Sequence, residues 1–477
     1  MTLPAIHFAI ENARSFKFSG FKPVRPLTLM VGENSSGKTS FFALLDAAFE
    51  FFSYRQSRSS AHFDLGSFDD IIHKSSLSRA KNKQYSVSFK FDGDLSAYTD
   101  GSEPSGPFII QLTYAERKGR TVVEKLVVSF GRASITIKNC TLFLNVTAKD
   151  GRVRSDYVVN HGDTGEFFNE HWLSSMWSVI GVADMISRYE LGEESNFGSR
   201  WKIEKAIGSS SNSERLSKSI SYISHTLVRM ESDVSFRVVQ GDPIRSEPKR
   251  VYMPTSASSD IEADRIPIEL HRMSLYEPER WAKLKSVLAD FGKESGLFTG
   301  IDVRSLRGRK KAGPFEIIVT RGSIESNIKD VGYGISQVVP FVVDLMLRDI
   351  ETKDSGSSEP SLFYIQQPEI HLHPSAQAAL GTFFYKFTQT TNNYIIVETH
   401  SDYIVDRIRR HIRDSKTSLD NENVALLFFQ NKRGVSSIHH ISIDDMGNIT
   451  DPPDGYRDFF IKEELVNLGF DDVFDNR

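Results

Sequence analysis

Eight consecutive residues constrain this chain more than any others: Gly32-Glu33-Asn34-Ser35-Ser36-Gly37-Lys38-Thr39. They fit the spacing G-x-x-x-x-G-K-[ST], which has a mechanical cause. The two glycines let the backbone curl so that successive N–H groups point inward at an anion. Lys38 then reaches the β- and γ-phosphates of a nucleotide, and the Thr39 hydroxyl faces Mg2+. Leu27–Val31 reads as a short buried strand, and Ser40 to Phe52 carries apolar residues at helical spacing. Strand, loop and helix in that order predict a phosphate-binding P-loop, with the positive end of the helix dipole at the phosphates. The expected nucleotide contacts are Gly32, Asn34, Ser35, Ser36, Gly37, Lys38, Thr39 and Ser40, and the expected ligands are ATP and Mg2+.

A chain of 477 residues has room for two or three domains. Its hydrophobic fraction of 39% and charged fraction of 25% are those of a soluble globular protein. A net charge of -4 provides no global basic field, so any nucleic-acid contact needs a local patch. Cys140 is the only cysteine, which excludes an internal disulfide and a C-x-x-C zinc hook and suits a reducing cytosol. No stretch approaches ~18 uncharged apolar residues. The first residues, which include Glu11 and Arg14, do not read as a signal peptide. The expectation is a cytoplasmic protein with no membrane contact.

Residues 84–148 look β-rich, with Tyr85-Ser86-Val87-Ser88-Phe89-Lys90-Phe91 alternating cleanly. Residues 165–235 and 276–293 look helical, punctuated by runs such as Gly208–Ser213. No internal repeat and no sustained heptads are visible. The tail from Asp451 is acidic and aromatic and is expected to dock as a short helix.

Four further segments follow in a fixed order. Gly332-Tyr333-Gly334-Ile335-Ser336-Gln337 precedes an apolar helix from Val338. Leu362-Phe363-Tyr364-Ile365-Gln366-Gln367-Pro368-Glu369 is an apolar strand ending in polar groups. Ile370-His371-Leu372-His373-Pro374 comes directly after it. Tyr394-Ile395-Ile396-Val397-Glu398-Thr399-His400-Ser401 is another buried strand, ending near a histidine. The order resembles the head of ABC-type ATPases: Walker A, signature, Walker B, D-loop, switch histidine. More closely it resembles the AAA15/RecF-like, overcoming-lysogenization-defect group of bacterial ATPases, over roughly residues 5–50 and 325–445.

The resemblance implies an α/β fold, a P-loop ABC-type head with a mixed sheet and flanking helices, interrupted by an inserted α+β or helical middle region. It divides the chain into 1–150 (lobe with Walker A and the β-rich segment), 151–315 (inserted, mostly helical) and 316–477 (lobe with the remaining motifs). It also implies two heads sandwiching ATP. Gly334 and Ser336 of one head would face the γ-phosphate held by the other, and His400 would sense it within its own head. H-x-H pairs can ligate metals, but His371 and His373 match the D-loop and are expected at a dimer contact.

Walker B departs from the pattern. Carboxylates are expected for Mg2+ and for orienting the attacking water, yet this chain has Gln366 and Gln367. An amide oxygen still accepts a hydrogen bond from a Mg2+-bound water, but it carries no charge and is no base at pH 7. Hydrolysis should suffer more than binding. Three explanations stand open: an engineered Glu→Gln substitution at 366 that traps ATP, a slow ATP-dependent switch, or a carboxylate supplied by Glu369 or Glu398. The candidate catalytic residues are Gln366, Gln367, Glu369 and His400, and the candidate metal contacts are Thr39 and Gln366.

The related nucleases carry a Toprim domain after the ATPase. Here little chain follows His400, and Asp444-Asp445 reads as a turn. The resemblance therefore points to the ATPase subunit of two-component phage-defence systems such as PARIS or Septu. Its expected partners are a second copy of itself, in a dimer or a higher ring, a separate effector (a nuclease) and a phage trigger. The other class is a RecF/SMC-like DNA-repair ATPase that clamps DNA. Arg304, Arg307, Arg309, Lys310 and Lys311 form the one local basic cluster, either a solvated turn or a binding patch.

Overall fold

The computed structural model describes residues 5–52, 63, 65–73, 83–92, 106–131, 133–138, 141–147, 153–161, 201–205, 223, 225–228, 230, 234, 236–241, 247–254, 261–306, 313–354, 360–415 and 422–457. Arg307, Arg309, Lys310, Lys311, the Gly208–Ser213 run, most of 165–235 and the tail beyond 457 lie outside these residues.

Two large sheets dominate. The first is ten-stranded and antiparallel, built from β1 (Ala5–Ala13), β2 (Phe16–Phe18), β3 (Lys22–Val24), β5 (Gln84–Asp92), β6 (Phe108–Arg117), β7 (Arg120–Phe130), β8 (Ala133–Lys138), β9 (Thr141–Thr147), β10 (Val153–His161) and β11 (Trp201–Lys205). Most of these strands follow one another as neighbours, as expected where short connections join alternating segments. Strands β9 and β10, on either side of residue 150, are paired neighbours in this sheet, and β11 lies within a stretch whose sequence reads as helical.

The second sheet has seven strands, ordered β12 (Arg237–Gly241), β16 (Ser361–Gln366), β17 (Tyr394–Glu398), β4 (Leu27–Gly32), β18 (Val424–Lys432), β19 (Val435–Ile443) and β20 (Ile449–Thr450). The first five run parallel, β19 turns back antiparallel to β18, and β20 reverses again against β19. Parallel strands buried on both faces must be apolar throughout, which is why Leu362–Ile365 and Tyr394–Val397 show no alternation in sequence. Their side chains still alternate between two cores. Leu27, Leu29, Phe363, Ile365, Ile395 and Val397 pack on one side against α2 (Ile261–Tyr276), α3 (Pro278–Ser295), α4 (Tyr333–Asp354), α5 (Pro374–Thr390) and α6 (Asp402–Ser415). Met30, Leu362, Tyr364, Tyr394 and Ile396 face α1 (Lys38–Phe49) and the antiparallel sheet. A three-stranded sheet of β13 (Gly300–Ser305), β14 (Phe315–Arg321) and β15 (Ile324–Asn327) completes the helical side. Among the described residues no helix is long and apolar enough to cross a membrane.

Candidate nucleotide-binding site

Strand β4 lies inside the parallel sheet, and the chain leaves its C-terminal end through Glu33–Gly37 into α1. That turn needs glycine at both ends. Gly32 has φ 133° and Gly37 φ 102°. A Cβ at Gly32 would lie 2.1 Å from the Phe429 carbonyl oxygen, and one at Gly37 2.8 Å from the Phe16 ring. Lys38 opens α1 and is 3% exposed. Its Nζ donates to the carbonyls of Gly32 (3.0 Å) and Glu33 (2.8 Å), curled back over the loop. Burial pulls its pKa below the ordinary lysine value, while the charges of Glu398, Glu33 and Glu369 oppose that shift. Asn34 and Ser35 are exposed, Ser36 is buried and Ser40 is half-buried.

The ends of β16, β17 and β4 come into one line: Gln366 pairs with Glu398, and Glu398 with Met30. Carboxyl ends of parallel strands are where open α/β sheets bind ligands. The densest polar network there is centred on Glu398, which is 8% exposed. Its Oε2 accepts from the Tyr364 hydroxyl at 2.6 Å and from Thr39 Oγ1 at 3.2 Å, and its Oε1 lies 3.8 Å from Lys38 Nζ. Gln366 Nε2 donates to the Tyr364 hydroxyl at 3.3 Å. The Tyr364 ring is stacked on Phe42, 3.8 Å between centroids and 6° from parallel.

Gln367 has φ 42°, and its backbone N–H donates to the Glu398 carbonyl at 2.7 Å, which turns the chain away from the sheet edge. Glu369 follows in that turn. Its Oε1 accepts from the His400 backbone N–H at 2.7 Å, and burial raises its carboxyl above the usual range. His400 is at the surface; partial burial and then the charge of Lys38 lower its ring pKa. The structure therefore gathers Lys38, Thr39, Gln366, Gln367, Glu369 and His400 around the end of β17. Glu398, named in the sequence only as an alternative source of charge, is their hub. The available signal was a carboxylate ending an otherwise apolar strand.

The signature segment is already helical. Helix α4 starts at Tyr333 rather than Val338, and Ile335 N–H bonds the Gly332 carbonyl at 3.0 Å. Ser336 lies in the first turn and is 5% exposed, so its side chain is directed into its own head. Gly334 rests against the His371 carbonyl, 3.1 Å from where its Cβ would stand. The two D-loop histidines diverge. His371 is exposed in a turn with φ 65°, whereas His373 caps α5, its Nδ1 accepting from Ser375 N–H at 3.3 Å.

Residues 8–220 match the family model of an AAA domain (AAA_23), and residues 257–405 that of the AAA ATPase domain (AAA_15). Each model matches less than half of the chain; the first segment holds the P-loop, and the second holds Gly334, Ser336, Gln366, Gln367, Glu369 and His400. Among solved structures, the SMC head domain from Thermotoga maritima is 12% identical, covering 93% of this chain and 100% of that one with a TM-score of 0.37. The Smc head with an extended coiled coil bound to the C-terminal domain of ScpA, derived from Pyrococcus furiosus, is 12% identical, covering 92% and 97% with a TM-score of 0.39. Values this low carry no argument about function. No curated protein matches the chain.

The residues of this site fit a nucleotide and a cation. Gly32 and Gly37 let the loop pack directly against Phe429 and Phe16, Lys38 supplies a charge beside it, and Thr39 places a hydroxyl next to a carboxylate. A bound cation would neutralise charge on the phosphates. Among the described residues no three His, Cys, Asp or Glu side chains cluster as a metal site. A cation here would have the Thr39 hydroxyl, the phosphates and the Glu398 carboxylate as its nearest oxygens.

Proposed function

We propose that this chain is an ATP-binding, ATP-hydrolysing regulatory subunit of a bacterial antiphage complex, a nucleotide-dependent switch whose heads pair over ATP and control a separate nuclease effector. The observation that carries the nucleotide part is the convergence of Lys38, Thr39, Gln366 and Glu398 at the carboxyl ends of the parallel strands. Phosphate oxygens in the loop would compete with the carbonyls of Gly32 and Glu33 for the Lys38 ammonium.

Support for a separate effector comes from the motif order and from the use made of the late acidic pair. Asp444 Oδ1 accepts from the N–H groups of Met446 (2.9 Å) and Asn448 (2.7 Å), so it closes its own turn. Arg304, the described member of the basic cluster, is held by Glu316 and Glu325, which favours this reading over a DNA clamp.

The test has two arms. Calorimetry should show ATP binding by the wild type and binding abolished or sharply weakened in Lys38→Ala; equal affinity in a folded variant overturns the nucleotide part. Co-purification with the neighbouring gene product, followed by plasmid-cleavage assays of each component, tests the effector part. Mg2+-dependent cleavage by this chain alone, lost on mutating its own carboxylates, overturns it.

A further inference from the structure

Strand β16, where the motif places the cation's carboxylate, ends in an amide. We infer that Glu398, at the end of the neighbouring strand, is the metal-side carboxylate of this site, and that Tyr364 is the residue that positions it. This inference rests on the nucleotide reading above.

Three observations carry it. The first is place. β17 lies between β16 and β4, so Glu398 stands one strand nearer the P-loop than Gln366. The second is the Thr39 hydroxyl, the group that the P-loop spacing assigns to Mg2+. It bonds Glu398 Oε2 at 3.2 Å, so a cation at Thr39 has this carboxylate within reach of its water shell.

The third is hydrogen-bond polarity. A carboxylate only accepts, so the single proton of the Tyr364 hydroxyl goes to Glu398. The phenol oxygen can then only accept from its other two neighbours, the Thr39 hydroxyl and Gln366, and Gln366 presents an N–H. A carboxylate at 366 has no proton to give, and in this register it would stand beside Glu398 as a like charge. The amide at 366 and the carboxylate at 398 are thus a matched pair. The rival Glu369 spends one oxygen on the His400 backbone, in the turn beyond β16.

The experiment is calorimetry with a non-hydrolysable ATP analogue, in EDTA and in Mg2+, with melting temperatures to confirm folding. For Glu398→Gln, affinity in EDTA should stay within about threefold of wild type while the gain conferred by Mg2+ drops about tenfold or more. Tyr364→Phe keeps the ring on Phe42 and removes only the hydroxyl, so it should lose part of the same Mg2+ gain. Gln366→Glu should not increase that gain. The inference falls if folded Glu398→Gln retains the wild-type Mg2+ response, if Gln366→Glu increases it, or if wild-type affinity is indifferent to Mg2+. If Glu398→Gln does not fold, the other two variants decide. Failure of the nucleotide reading looks different: the wild type then binds no analogue even in Mg2+.

Discussion

Strands β16 and β17 are parallel neighbours, apolar and buried along their length, and they end side by side. One ends in a half-buried amide, the other in a buried carboxylate. A buried charge is costly unless it is paired and hydrogen-bonded. Gln366 meets little of that cost, while Glu398 meets it with two hydroxyl donors and an ammonium 3.8 Å away. Far apart in sequence and adjacent in the sheet, the two positions exchange chemical roles without disturbing the scaffold. The cost of holding a carboxylate ready for a cation is borne by the strand whose neighbours can solvate it.

The largest expected effect removes the ligand from both strand ends at once. Lys38→Ala should weaken ATP binding by about 100-fold or more, roughly 2.7 kcal/mol or more by calorimetry. Next comes the direct contrast. Truncation to alanine should cost Mg2+-dependent affinity about tenfold at 398 and no more than about twofold at 366; equal losses would erase the distinction between the strands. A structural control lies in the turn after β16. His373→Ala removes the cap of α5 and should cost about 1 kcal/mol in denaturant unfolding, with ATP affinity unchanged.

The smallest effect concerns Glu369. Its folded carboxyl is raised by burial, so the folded state holds that proton more tightly than the unfolded chain. The stability tied to it is present at low pH and is lost as pH rises through the folded pKa. Glu369→Gln cannot ionise, so its melting temperature should gain on wild type as pH rises above the ordinary carboxylate range of about pH 4. A difference that shrinks as pH rises would contradict the burial account.

How much of this was legible in the sequence depends on whether the cause is local. The P-loop, its strand and its helix follow from glycine spacing and apolar runs, and β16 and β17 follow from unbroken hydrophobic stretches. The onset of α4 at Tyr333 was hidden because two flanking glycines read as loop, whereas Gly334 serves close packing on His371. His373 was hidden as a cap because histidine is not among the usual capping residues. The centrality of Glu398 was legible only as one alternative. Its meaning depends on pairing with Met30 and Gln366, contacts between segments that the sequence keeps far apart. The parallel pairing of β12 with β16 was hidden for the same reason.

The most direct test of the account is a crystal structure with an ATP analogue and Mn2+, in which anomalous scattering locates the cation. The account predicts the phosphates in the Gly32–Thr39 cradle, Lys38 turned from the loop carbonyls toward them, and the cation at Thr39 with Glu398 facing its water shell. A cation facing Gln366 or Glu369 while Glu398 stays on Lys38, or phosphates bound away from the P-loop, would contradict it.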